Sequence, residues 1–208
     1  MSVIEGPRSA GLVSRVQGIL LKPAAEWDVI DGEPATVQGL FTGYACILAA
    51  IGPVAVVLQH LLFLHWALPI IVVLAVLTYV SSLVGVYIVG FIIDMLAPSF
   101  DAQKNQVQAM KLAVYSYTAA WVAGILNIVP ILGILAIIAA CYGLYIFWLG
   151  LPKLMKAPAE KATGYAVVTV VVAIVVNAVI TMVVGAIVVS LTAGAILTGA
   201  AVGASAFH

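Results

Sequence analysis

Apolar residues fall into five long runs, at about 37–58, 69–97, 106–128, 131–151 and 164–191, separated by short polar or proline-containing breaks. Each run approaches or exceeds the roughly 20 residues of helix that cross a hydrocarbon core. Only helices and closed barrels satisfy every backbone polar group inside a bilayer, and runs of this length predict helices. The chain is therefore predicted to be all-α: a polytopic membrane protein with five transmembrane helices, preceded by a short amphipathic N-terminal segment.

Ahead of the first run the pattern changes period. Leu12, Val16, Ile19 and Leu20 share one helical face over residues 11–21, with Ser14, Arg15, Gln17 and Lys22 placed elsewhere, so a short amphipathic helix on the membrane surface is expected. Pro23 cannot continue that helix but suits the first turn of another, so residues 24–30 are read as a second short helix with Trp27 at headgroup level. The expected units are residues 1–36 as the N-terminal segment, 37–193 as the five-helix domain and 194–208 as a small-residue tail.

The breaks carry further expectations. Gly52-Pro53 should bend the first span, and the apolar stretch through His60, His65 and Trp66 should end in a short uncharged outer loop before Pro69. Asp101, after Pro98, is placed to cap the third helix. Asn127 to Pro130 leaves only a few residues between spans three and four, which makes them antiparallel neighbours. Small residues four apart, Ala120 and Gly124 on span three and Ala136, Ala140, Ala139 and Gly143 on span four, let backbones approach closely in lipid and mark this hairpin as the expected packing centre. Ser81 and Gly85 offer a similar face on span two, and Gly199 and Gly203 in the tail match chance as well as a dimer contact.

Composition agrees: of 208 residues, 65% are hydrophobic and only 8% charged, with eight Lys and Arg balanced by eight Asp and Glu. There is no global basic field for nucleic acid. Placement says more than the sum. Arg8, Arg15, Lys22, Lys104, Lys111, Lys153, Lys156 and Lys161 all fall on one side of a five-span arrangement, and none on the other. By the positive-inside rule the N-terminus is cytoplasmic and the C-terminus periplasmic, in a bacterial inner membrane. The N-terminal residues show no signal-peptide pattern.

Candidate chemistry is sparse. Cys46 and Cys141 sit in apolar runs as small hydrophobes, and His60, His65 and His208 lack the spacing of a ligand set, so no metal or cofactor is expected. No nucleophile-and-base arrangement, phosphate loop or zinc-protease motif is present, and an enzyme is not expected. Asp94, Tyr115, Tyr142, Tyr145, Trp148 and Asn177 form the candidate intramembrane polar and aromatic site, read either as an aromatic belt with interhelical hydrogen bonds or as a pocket open to the cytoplasm. Arg15, Lys22, Trp27, Lys104, Lys153 and Lys156 are the candidate contacts to membrane lipid or to a protein partner at the cytoplasmic face. A homo-oligomer is compatible with the small faces.

Tyr115-Ser-Tyr117-Thr, Trp121-Val-Ala-Gly124-Ile, Pro130-Ile-Leu-Gly133, Tyr142-Gly-Leu-Tyr145 and Leu149-Gly150-Leu-Pro152 together resemble the Yip family of five-span, Rab-interacting membrane proteins, in its bacterial branch. Residues 19–27, Ile-Leu-Leu-Lys-Pro-Ala-Ala-Glu-Trp, resemble the short pre-membrane motif of that branch. The resemblance implies a five-helix bundle with its N-terminus inside and its C-terminus outside, and a non-enzymatic scaffold or adaptor that organises membrane or partner proteins. The acidic N-terminal motif of eukaryotic members is not evident here. The competing expectation is a small transporter or channel with a polar and aromatic path between its helices.

Overall fold

A computed structural model describes residues 11–64 and 68–205, and all regular structure among them is helical. The expected loop at His65 and Trp66, the N-terminal decapeptide with Arg8, and His208 lie outside the described residues. Helix α1, Leu12–Leu21, and helix α2, Pro23–Gly32, form a tight hairpin hinged at Lys22, with Pro23 opening α2. Five helical segments are then long and apolar enough to cross a membrane: span one, Val37–Phe63; span two, Pro69–Phe100; span three, Gln106–Ile128; span four, Pro130–Met155; and span five, Ala159–Ser190. Their positions match the apolar runs to within a few residues at most ends.

Several of the irregularities have a local cause. Span one breaks at Ala50, between Cys46–Ala49 and Ile51–Gln59, because Pro53 has no N–H to donate to Ala49. Span three pauses at Tyr117 and tightens into a narrow helical turn over Gly124–Ile128. Val129 is extended, as a residue before proline prefers to be, and Pro130 starts span four at once, so the two spans are antiparallel. Asp101 does not cap the third helix. It adopts a left-handed conformation (φ 54°) and pairs with Lys161, while Asn105 accepts the Gln108 N–H at 3.2 Å as the true cap. The fifth helix runs unbroken over Ala159–Ser205, 47 residues or about 70 Å, so the expected tail begins inside it.

Span three is the centre of the bundle. Its apolar window is 61% buried, against 17% for span four and 6% for span five. Span four is the more peripheral half of its hairpin, because its small face meets span three only in part: Gly143 lies against the Ser116 carbonyl, whereas Ala140 is exposed. A close backbone crossing joins spans one and three, where a Cβ built on Gly124 would stand 2.9 Å from Gly52 Cα. Only glycine permits that approach.

Candidate functional site

The charged residues gather at one end of the bundle, around the α1–α2 hairpin. Arg15 follows Leu12 by three residues and precedes Ile19 by four, so it belongs to the buried face of α1 rather than its polar side. It is only 3% exposed, with one guanidinium nitrogen 2.5 Å from Glu26 and the other paired with Glu33. Its cationic plane lies 5.6 Å from the centre of the Tyr115 ring. Burial draws the Arg15 pKa down, but the hydrogen bond it donates to Glu33 and the charges of Glu33 and Glu26 raise it, and the balance lies above its ordinary value. Gly18 makes the arrangement sterically feasible, since a Cβ there would meet the Glu26 carboxylate at 2.2 Å.

The hairpin is fastened to spans three and four by groups spaced along its length. Tyr142 donates to the Leu20 carbonyl at 2.8 Å, and the buried Trp27 indole donates to the Ile146 carbonyl at 3.0 Å. Gly150 receives the Trp27 ring, because a Cβ there would come within 2.5 Å of it. Lys153 bonds Asp28 at 2.6 Å and Lys156 bonds Asp31 at 2.5 Å. From span three, Lys111 donates to the Ile30 and Glu33 carbonyls at 2.8 and 2.6 Å, a cation closing the C-terminal end of α2. Arg15, Glu33, Tyr44, Lys111 and Tyr115 line a cavity of about 490 Å³ between the hairpin and the bundle.

Six residues expected to meet lipid or a partner thus separate into three groups. Arg15 and Trp27 are interior, and the Trp27 ring is held in the protein core, because the hairpin packs its apolar face against span four. Lys153 and Lys156 are partly exposed but paired with α2 carboxylates. Lys22 and Lys104 are exposed and without a side-chain partner among the described residues.

Nor do the six intramembrane candidates converge on one pocket. Tyr115 faces the hairpin cavity and packs edge-on against Tyr44 and Trp27. Tyr142 and Tyr145 lie 5.9 Å apart, and Tyr145 and Trp148 are about half exposed on the outer surface of span four. Asp94 is 7% exposed with Oδ1 unpartnered, beside the Ile93 carbonyl that accepts the Tyr165 hydroxyl. Asn177 makes no side-chain hydrogen bond to any described residue, so the expected interhelical bond is not formed. It lines a cavity of about 430 Å³ bounded by spans two to five, together with Ser116, Tyr117, Cys141 and Thr169. A second cavity of about 350 Å³, with Ser81, Ser82 and Thr181, shares Tyr117 and Asn177 with the first. Among the described residues no three His, Cys, Asp or Glu side chains gather as a metal-ligand set.

Sequence reasoning missed Lys111, Glu26 and Glu33. The signal was present: Arg15 at helical spacing from Leu12 and Ile19 required buried acidic partners, and α2 supplies them.

These features define an all-helical integral membrane protein of five spans, with an N-terminal helical hairpin locked onto its charged end. The Yip1 domain model matches residues 18–181, from within α1 to the later half of span five, and the chain belongs to that family. It is 24% identical over 178 residues to the inner membrane protein YohC of Escherichia coli K12, covering 79% of this chain and 90% of that protein. YohC of Escherichia coli O6:H1, strain CFT073, is similar to the same extent. No solved structure matches the chain.

Proposed function

We propose that the protein is a non-enzymatic scaffold of a bacterial inner membrane, with its charged end in the cytoplasm, organising lipid or a partner protein there. The observation that carries the reading is the hairpin itself: four acidic residues of the N-terminal segment, Glu26, Asp28, Asp31 and Glu33, are matched by Arg15, Lys153 and Lys156 into a preformed folded face. Binding to a face already ordered avoids much of the conformational cost of association. Lys22 and Lys104 remain to attract anionic headgroups or an acidic partner, each contributing about 1 kcal/mol beside an anionic surface. The orientation rests on the placement of all eight basic residues on one side.

A photocrosslinking side chain at position 104 in intact cells tests this reading. It should capture a defined protein or lipid adduct, and K22E should weaken the capture without changing membrane insertion. Loss of any defined adduct, or capture indifferent to K22E, would overturn it. The two adjoining cavities that share Tyr117 and Asn177 favour a second reading, passage of a small uncharged solute, since their largely apolar walls carry a few hydroxyl and amide groups and no charged side chain. Solute flux into proteoliposomes above the lipid-only background, abolished by A120W, would select that reading.

A further inference from the structure

The hairpin is not laid flat on the membrane surface: its contacts place it end-on along span four. Leu20 meets Tyr142, Trp27 meets Ile146, Asp28 meets Lys153 and Asp31 meets Lys156, so α2 runs parallel to span four toward the charged end. The hinge between the two short helices therefore points the other way, toward the membrane interior. Asp31 sits beside Lys156 and Lys22 lies nine helical residues earlier, so the hinge at residues 20–22 is about 14 Å below the charged end, where the Tyr142 side chain reaches up to the Leu20 carbonyl and Lys153 donates to Ala24.

The level is defined by what surrounds it. Span four exposes Ile131, Ile134, Leu135, Ile137, Ile138 and Leu144 below, and Tyr145 and Trp148 above, the order expected of a helix passing from hydrocarbon to interface. At the hinge, Leu21 is 76% exposed, and Val13, two turns earlier on the same face of α1, is 66% exposed. Lys22 beside Leu21 is exposed too, with an apolar stem long enough to lift its ammonium to the phosphates.

We infer that the hinge of the α1–α2 hairpin is a lipid-contact site: Leu21 is inserted at the acyl boundary of the leaflet on the charged side, and Lys22 engages a lipid phosphate above it. The occupant is bilayer phospholipid because the hinge is continuous with the lipid-facing surface of span four at Tyr142 and Tyr145. This deepens the scaffold reading and rests on it for the cytoplasmic identity of that leaflet, but not for the depth of the hinge.

The test uses the full chain with Cys46 and Cys141 replaced by alanine, in liposomes of phosphatidylethanolamine and phosphatidylglycerol. Nitroxide labels at L21C and, separately, at D28C are compared for collision with oxygen, which concentrates in hydrocarbon, and with a neutral nickel chelate, which stays in water. Leu21 should favour oxygen severalfold and Asp28 the chelate. Replacing phosphatidylglycerol by a zwitterionic lipid, or introducing K22E, should shift the Leu21 label toward water. Equal chelate access at both positions would overturn the inference, as would spin–spin broadening at Leu21 in a dilute sample, which would mean that a second copy covers it. Failure here with capture from position 104 intact would remove the lipid site alone. An inserted hinge without capture would remove the partner reading alone.

Discussion

Trp27 and Gly150 should behave as one unit. The indole is fully buried and bonded to the Ile146 carbonyl at 3.0 Å, and a Cβ on Gly150 would lie 2.5 Å from Cε2 of that ring and 2.8 Å from Leu112 Cδ1. W27A removes the ring and its hydrogen bond, at a cost of about 3–5 kcal/mol. W27F keeps most of the apolar volume and loses the N–H donor, at about 1 kcal/mol. G150A in the parent forces the ring aside, costing roughly 1–3 kcal/mol, partly offset by up to about 1 kcal/mol of helix propensity. In the W27A background the ring is gone and the added methyl fills part of the void, so G150A should be neutral or stabilising. The expected coupling is on the order of 1–3 kcal/mol, well above the few tenths seen for independent sites. Reversible unfolding in mixed micelles, titrated with sodium dodecyl sulfate and read by far-UV circular dichroism, measures all four corners. Additive costs would refute the packing of the hairpin on span four.

Removing Arg15 as R15A should destabilise the protein by about 3–5 kcal/mol by stranding two partly buried carboxylates, and R15M with E26Q and E33Q should recover most of that loss in the same titration. G18V should mimic R15A in part, because its side chain occupies the position of the Glu26 carboxylate, and combining it with E26A should relieve the effect. G124L should separate spans one and three, lowering stability by more than the roughly 1–3 kcal/mol of ordinary overpacking because the obstacle is the Gly52 backbone; this is measurable as loss of crosslinking between the two spans. Lys156 with Asp31 is half solvated, so exchanging the two as K156D and D31K should change stability by less than about 1 kcal/mol, and the coupling should fade in high salt.

The five spans were legible because crossing a bilayer imposes one strong requirement, uninterrupted apolar length, and their ends at Val37, Pro69, Gln106 and Ile128 follow it closely. Family membership was legible in the aromatic, glycine and proline spacing of spans three and four, and the Yip1 match supports it. The site was less legible. Trp27 was read from residue type alone, and that its ring fills a protein groove lined by Gly150 depends on tertiary packing the local pattern does not carry. Arg15 looked solvent-facing by residue type, although its spacing from Leu12 and Ile19 put it inside; type prevailed over periodicity in that reading. Asp101 resembled a helix cap by composition, but three residues of connecting chain intervene before Asn105 takes that place. Span four was overestimated as a packing element because alanines at small-residue spacing mark where helices can approach, not where a neighbour stands.

The register of the hairpin on span four underlies every step from sequence to function, and cysteine crosslinking in native membranes tests it directly. With Cys46 and Cys141 replaced, the pairs D28C/K153C and D31C/K156C should each be joined by a bis-thiosulfonate reagent whose spacer is about as long as the lysine side chain it replaces, detected as linked peptides by mass spectrometry, while the shifted pair V13C/K156C should not. Equal trapping of the shifted pair, or none in the matched pairs, would contradict the docked hairpin and the preformed face built on it.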